Sequence, residues 1–136
     1  MPQMIVLDSH VWYWWINLEH DRLPSDMVRV IESAPRVGVS PVSCFELALA
    51  YRRGRLELPM SQRDWFALAL EGSDVVLLPL TAGIALRAVD LVDIHRDPFD
   101  RIIIATAMEL DAKLASADSR FPTYPELVDR LIGGTR

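Results

Sequence analysis

Four acidic side chains stand where a chain of alternating strands and helices would bring them together. Asp8 directly follows the apolar run MIVL, and Asp118 ends the run KLASAD. Glu46 and Asp100 each lie in the first turn of a predicted helix. Clustered carboxylates repel one another, and a hard divalent cation such as Mg²⁺ relieves that repulsion. The acids therefore predict a magnesium site, whose chemistry would suit phosphodiester hydrolysis by metal-activated water.

Each acid also has a structural interpretation. Ser43 and Glu46 have the spacing of a capping box, in which the Glu side chain reaches back to the backbone of the Ser. Asp118, which precedes a serine, could form a turn. Asp8 is the hardest to explain in this way, because a carboxylate directly after an apolar strand must be hydrated, paired or metal-bound.

The segment HRDPFDR predicts a helix start. Asp97 suits the N-cap, Pro98 the first helical position, and Asp100 the dipole-favoured first turn. Arg96 and Arg101 flank this segment's acids. They could contact a scissile phosphate or simply pair with the carboxylates.

The elements that must position these residues alternate along the chain. Predicted strands cover 4–8, 36–40, 75–80 and 113–118, and predicted helices cover 9–16, 24–34, 43–53, 61–70, 81–91 and 98–110. The segment 124–136 fits either element type. Such alternation predicts an α/β domain over residues 1–136, with a mainly parallel sheet of four or five strands covered by helices on both faces. Ligands of such sheets bind beyond the carboxyl ends of the strands, where Asp8 and Asp118 are expected.

Composition favours a folded protein of a reducing cytoplasm. Hydrophobic residues make up 51% of the chain, Cys44 is the only cysteine, and no apolar run approaches the ~20 residues of a membrane span. We therefore expect neither a membrane segment nor a signal peptide. The net charge of -5 argues against a nonspecific nucleic-acid binder. Clustered catalytic acids would account for part of that charge.

Basic and aromatic side chains supply weaker candidates. Arg52, Arg53 and Arg55 cluster near the end of one predicted helix, where they could hold substrate phosphates or form an exposed, dipole-favoured helix end. Trp12, Trp14 and Trp15 suit the core or a subunit interface better than a base-stacking platform. The three histidines, His10, His20 and His95, lack zinc-ligand spacing.

The segments VLDSHVWYWW, SCFELALAYRRGRLEL, HRDPFDRIIIATA and LASADSRF resemble the PIN-domain family, and within it the VapC-like toxins of bacterial toxin–antitoxin pairs. The resemblance runs from about residue 4 to residue 124. It implies a PIN-like three-layer α/β/α fold and an endoribonuclease that depends on Mg²⁺ or Mn²⁺ and is neutralised by an antitoxin. The ending PELVDRLIGGTR departs from the short final strand that is usual in this subfamily.

Residue by residue, the resemblance places the family's four acids on Asp8, Glu46, Asp100 and Asp118. Asp97 is kept as an alternative ligand at the third position. Ser9 matches the small hydroxyl residue after the first acid, where it would hydrogen-bond a carboxylate or a bound water.

The sequence also bears on three other functions. A receiver domain needs a lysine after a late strand, but Lys113 opens its strand, and a haloacid-dehalogenase-type phosphatase needs a second Asp where His10 stands. A PIN-like module that binds RNA or protein without cleavage remains the alternative. For partners we expect an RNA substrate, a second copy of the chain in a homodimer, and a cognate antitoxin whose C-terminal segment inserts an arginine among the carboxylates.

Overall fold

The computed structural model describes residues 3–93 and 97–133, which form one sheet flanked by helices. The strands are β1 (Met4–Leu7), β2 (Arg36–Val39), β3 (Val75–Leu77), β4 (Lys113–Ser116) and β5 (Leu131–Gly133). The helices are α1 (Ser9–Ile16), α2 (Ser25–Ser33), α3 (Pro41–Arg52), α4 (Gln62–Leu70), α5 (Ala82–Asp90) and α6 (Pro98–Glu109). Among these residues, no helix is long and apolar enough to cross a membrane.

The order of the strands creates one crevice at the carboxyl edge. The sheet is parallel throughout, in the order β3-β2-β1-β4-β5. The chain builds outward from β1 to β3 and then returns to place β4 on the other side of β1. Helix connections diverge at such a switch point, so a ligand crevice is expected beyond β1 and β4. The predicted α/β class and mainly parallel sheet are confirmed.

Alternate residues of the central strand enter two separate cores. Ile5 and Leu7 pack in a cluster that contains Trp12 and Trp65. Val6 belongs to a second cluster, which contains the α6 residue Ile104. Because successive strand side chains point to opposite faces, these clusters lie on either side of the sheet. The predicted three-layer arrangement is therefore confirmed.

Helix α3 begins earlier than the sequence predicted. Pro41 occupies the first turn, and the Ser40 hydroxyl caps the helix by accepting from the Val42 amide at 3.2 Å. The predicted capping box of Ser43 and Glu46 is wrong, because both residues lie inside the helix. The predicted end of this helix near residue 53 is confirmed: Gly54 follows the C-cap Arg53, and its φ of 70° is a left-handed conformation that glycine adopts without strain.

The C-terminal segment, which the sequence left open, contains a strand. A 3-10 turn at Pro125–Leu127 precedes β5. β5 then pairs in parallel with β4 through Ala115 and Ile132. The short final strand that is usual in the subfamily is therefore present, although the sequence PELVDRLIGGTR did not suggest it.

Candidate active site

The predicted acids all line one pocket of about 270 Å³ at the carboxyl edge of the sheet. Asp8 enters from the end of β1 and Asp118 from the loop after β4. Glu46 enters from α3, and Asp97 and Asp100 enter from the start of α6. Because β1 and β4 flank the switch point, the fold brings to one place carboxylates that are far apart in the sequence.

Three of these carboxylates converge closely. Glu46, Asp97 and Asp100, which we call the helix acids, each offer an oxygen, and these oxygens lie within 4.8 Å of one another. Two oxygens bound to one Mg²⁺ at ~2.1 Å lie up to ~4.2 Å apart. Small side-chain movements would therefore place all three on one ion. An all-oxygen set of this size fits a hard divalent cation rather than zinc.

The environment of Glu46 disfavours its charged form. Burial is the main cause that raises its pKa to about 7, and the negative charges of Asp100, Asp97 and Asp8 act in the same direction. A hydrogen bond from the Ser9 hydroxyl, 2.6 Å from Glu46 Oε1, opposes the shift. The same hydroxyl lies 2.9 Å from the Ser43 hydroxyl. Ser9 thus contacts a site carboxylate as the sequence predicted, and a bound cation would offset the cost of ionising Glu46.

The sequence kept Asp97 as an alternative to Asp100 at the third ligand position, and the structure places both carboxylates at the site. The Asp97 carboxylate accepts from the Phe99 amide at 2.9 Å, and Pro98 follows it, so the predicted N-cap is confirmed. Asp100 lies in the first turn and is 7% exposed. Both carboxylates belong to the helix acids. Asp97 therefore combines a cap with a position among the candidate ligands.

Asp8 has a structural role that the sequence interpretation missed. It is the N-cap of α1: its Oδ1 accepts from the Val11 amide at 2.9 Å, and its Oδ2 accepts from the Ser116 hydroxyl. Burial raises the pKa of Asp8, and these hydrogen bonds partly offset the rise. The signal was present in the sequence, since an Asp between a strand and a helix is a favoured N-cap.

Arg120 is a site residue that the sequence analysis did not select. Its Nε lies 3.1 Å from Asp118 Oδ1 and its Nη2 lies 2.9 Å from Asp118 Oδ2, which makes a forked pair. Nη2 also lies 3.5 Å from Asp100 Oδ2. Hydrogen bonding to Asp118 is the main cause that raises the pKa of Arg120. The guanidinium therefore bridges an acid after β4 and an acid of α6.

The other predicted arginines have different locations. Arg101 binds backbone carbonyls at the end of α5, including those of Ala88 at 3.0 Å and Leu91 at 2.7 Å. It does not line the acidic pocket, because these contacts hold its guanidinium at the α5–α6 junction. Its contact with substrate stays a prediction. Arg96 lies outside the described residues.

The tryptophans of α1 divide among three environments. Trp12 is fully buried and meets Trp65 edge-on with ring centroids 5.4 Å apart. Trp14 lines the acidic pocket, where its ring lies 5.8 Å from that of His10. Trp15 stacks on His20 at 4.4 Å. The expectation of a core role is confirmed for Trp12, and Trp14 and Trp15 are partly buried and pack against the same core, with Trp14 also lining the pocket.

Fold, pocket and sequence together define a PIN-domain protein. The family model for the PIN domain matches residues 5–127, and the chain belongs to this family. It is 35% identical over 121 residues to Ribonuclease VapC22 of Mycobacterium tuberculosis, a match that covers 88% of this chain and 91% of that protein. The resemblance found in the sequence is thereby confirmed.

Solved structures share the fold at low sequence identity. The crystal structure of VapBC2 from Rickettsia felis bound to a promoter DNA fragment contains a chain with a TM-score of 0.68 and 16% identity, over 96% of this chain and 98% of that one. A toxin–antitoxin complex from Klebsiella pneumoniae contains one with a TM-score of 0.59 and 19% identity, over 94% of this chain and 95% of that one.

Proposed function

We propose that this protein is a divalent-metal-dependent endoribonuclease that acts as the toxin of a toxin–antitoxin pair. The convergence of the three helix acids within 4.8 Å on a PIN fold carries the proposal. The relative named as a ribonuclease, which aligns along most of the chain, supports RNA as the substrate class.

Each acid of the pocket has a role in this proposal. Glu46, Asp97 and Asp100 hold Mg²⁺, with Mn²⁺ as a substitute, and Asp8 and Asp118 complete the catalytic set. The bound cation supplies activation of water and compensation of charge at the phosphate. The Ser9 hydroxyl orients the Glu46 carboxylate through their 2.6 Å contact. Hydrogen bonds from the Val11 amide and the Ser116 hydroxyl fix the orientation of the Asp8 carboxylate.

A cognate antitoxin is the proposed regulatory partner. Toxin–antitoxin complexes among the solved structures of this fold support it. Its C-terminal segment would insert an arginine among the carboxylates. The fork between Arg120 and Asp118 supports the chemistry, since it demonstrates that a guanidinium can pair with an acid of this pocket.

A homodimer is the proposed assembly. Helix α5 carries large apolar side chains in solvent, with Leu86 68% exposed and Val89 76% exposed. Apolar side chains grouped on one surface favour association. Light scattering at micromolar concentration should give twice the mass of the chain, and a single-chain mass would contradict the dimer.

Metal-dependent cleavage is the direct test of the function. Purified protein is mixed with single-stranded RNA and Mg²⁺, with and without EDTA, beside an Asp100→Asn variant. We expect wild-type cleavage that EDTA abolishes and that Mn²⁺ restores, and none with the variant. RNA binding without any cleavage would instead favour the binding-only module.

A further inference from the structure

The three arginines at the end of α3 separate into two environments. Arg53 and Arg55 line a groove of about 350 Å³. Arg52 lines a different depression, together with Phe45 and Tyr51. The sequence groups these residues, but the helix turns neighbouring positions in different directions. Only Arg53 and Arg55 are therefore positioned to act with the acidic pocket.

The groove continues directly from the acidic pocket. Both are lined by Ser9, His10, Glu46 and Asp97. Beyond these shared residues, the groove is lined by apolar side chains. They are Leu47, Leu49, Ala50, Leu56 and Phe99. A molecule that reaches the helix acids could therefore extend over an apolar floor toward the two arginines.

The end of α3 fixes the backbone on which the arginines stand. The Arg53 amide donates to the Leu49 carbonyl at 3.0 Å, and the Arg55 amide donates to the Ala50 carbonyl at 2.8 Å. Gly54, between them, provides the left-handed turn. The two guanidinium groups therefore extend from an ordered helix end, which reduces the entropy lost when they bind a ligand.

Charge identifies the ligand class. Arg53 and Arg55 are exposed and form no ion pair within residues 3–93 and 97–133. Single-stranded nucleic acid alternates phosphates, which arginines bind, with flat bases, which bind apolar and aromatic side chains. A purely apolar peptide segment would cover the floor but leave two cations without anions. Charge complementarity therefore favours RNA over such a peptide.

We propose that this groove is a nucleotide subsite adjacent to the scissile phosphate. Arg53 and Arg55 bind a neighbouring phosphate of the RNA, and the apolar floor, including Leu56 and Phe99, receives the base that accompanies it. The subsite rests on the proposed function, because it assumes that the helix acids mark the place of cleavage. It would contribute substrate affinity rather than chemistry.

Matched arginine variants test the subsite. Arg53→Gln, Arg55→Gln and Arg52→Gln each remove one positive charge from the same helix end. Binding of a short fluorescent single-stranded RNA is measured in Ca²⁺, which supports binding at such sites without requiring turnover, across a salt series. We expect each groove variant to weaken binding by roughly tenfold and to reduce the salt dependence by ~0.7 in log–log slope. Arg52→Gln should change neither.

The base contact needs its own measurement. An RNA with one abasic nucleotide beside the cleavage site should bind more weakly to the wild type. Phe99→Leu, which keeps an apolar side chain, should reduce that difference between the RNAs. In cleavage assays with Mg²⁺, Arg53→Gln and Arg55→Gln should raise KM and leave kcat nearly unchanged.

Each result either supports the subsite or overturns it. Equal losses in Arg52→Gln and in the groove variants would overturn it, as would unchanged RNA binding with weakened binding of an antitoxin peptide. Failure of the proposed function looks different: wild-type protein would then cleave no RNA with Mg²⁺, whatever the arginine variants do to binding.

Discussion

Asp8 and Asp118, which follow strands β1 and β4, are called the strand acids here. They differ from the helix acids in the groups that surround their carboxylates. Asp8 receives hydrogen bonds from the Val11 amide and the Ser116 hydroxyl, and Asp118 receives a forked arginine. Glu46, by contrast, faces other carboxylates, and burial and their charge raise its pKa to about 7. The helix acids also receive donors from Ser9, the Phe99 amide and Arg120. They differ from the strand acids because their three carboxylates converge within 4.8 Å of one another.

If the proposed function holds, this difference indicates which acids would hold the cation. Substitution at Glu46 or Asp100 should mainly alter metal binding and catalysis, because it relieves repulsion in the metal-free protein, whereas Asp97 also caps α6. Substitution at Asp8 should also alter folding, because this carboxylate caps α1. Variants that change metal binding and folding to the same extent at both kinds of position would contradict the distinction between helix acids and strand acids.

The largest effect on RNA cleavage is expected from substitution of Asp100. Asp100→Asn removes charge at nearly constant volume from a carboxylate that is 7% exposed. Cleavage should fall by orders of magnitude, while the melting temperature without metal stays unchanged or rises. Cleavage rates at saturating Mg²⁺ and melts in EDTA measure both, with the exposed Asp74→Asn as the control. Wild-type cleavage by Asp100→Asn would remove Asp100 from the catalytic set.

Glu46 should make both stability and metal affinity depend on pH. Its pKa rises from the ordinary value of 4.5 to about 7 on folding. Between those values the folded state binds more protons than the unfolded state, so metal-free stability falls as pH rises through this window. Metal binding needs the charged carboxylate, so Mg²⁺ affinity should rise over the same window and level off above it.

Glu46→Gln isolates this effect. The variant should melt at a higher temperature than the wild type in EDTA at pH 8, and the difference should shrink toward pH 5, where the side chain at this position is neutral in both folded proteins. Mg²⁺ affinity should fall and lose most of its rise between pH 6 and 8. Melts and calorimetric titrations at each pH measure this. A difference in melting temperature that does not vary with pH would contradict the role of Glu46 ionisation.

Two variants of Asp8 should separate the effect of losing its charge from the effect of losing its N-cap. Asp8→Asn keeps an oxygen that accepts from the Val11 amide, whereas Asp8→Ala leaves that amide without its cap. Loss of an N-cap costs ~1 kcal/mol, so only the alanine variant should show that loss of unfolding free energy in denaturant titrations. Cleavage should be abolished in both. Equal stability of the two variants would mean that the cap contributes nothing measurable.

Sequence alone predicted the architecture better than the division of work among the acids. Alternating apolar runs and helix signals such as Asp97-Pro98 are local, and they gave the layered fold and the start of α6. The contact of Arg120 with Asp100 and the place of Arg53 beside the acidic pocket depend on tertiary placement, which no local pattern contains. The start of α3 was missed for a local reason, since Ser43 and Glu46 matched one motif while Ser40 and Pro41 formed the actual cap.

The smallest effect is expected at Arg120, whose guanidinium provides positive charge to both groups of acids. It pairs with Asp118 at 2.9 Å and Asp100 at 3.5 Å, and its side chain is 54% exposed. Because this charge competes electrostatically with a divalent cation, Arg120→Gln should bind Mn²⁺ a few-fold more tightly in calorimetric titrations. The melting temperature in EDTA should fall slightly, since the acids lose a positive neighbour. Arg87→Gln, which breaks the pair with Glu109 at the α5–α6 surface, controls for loss of an exposed arginine. Weaker Mn²⁺ binding by Arg120→Gln would mean instead that the arginine holds Asp118 and Asp100 in place for the metal.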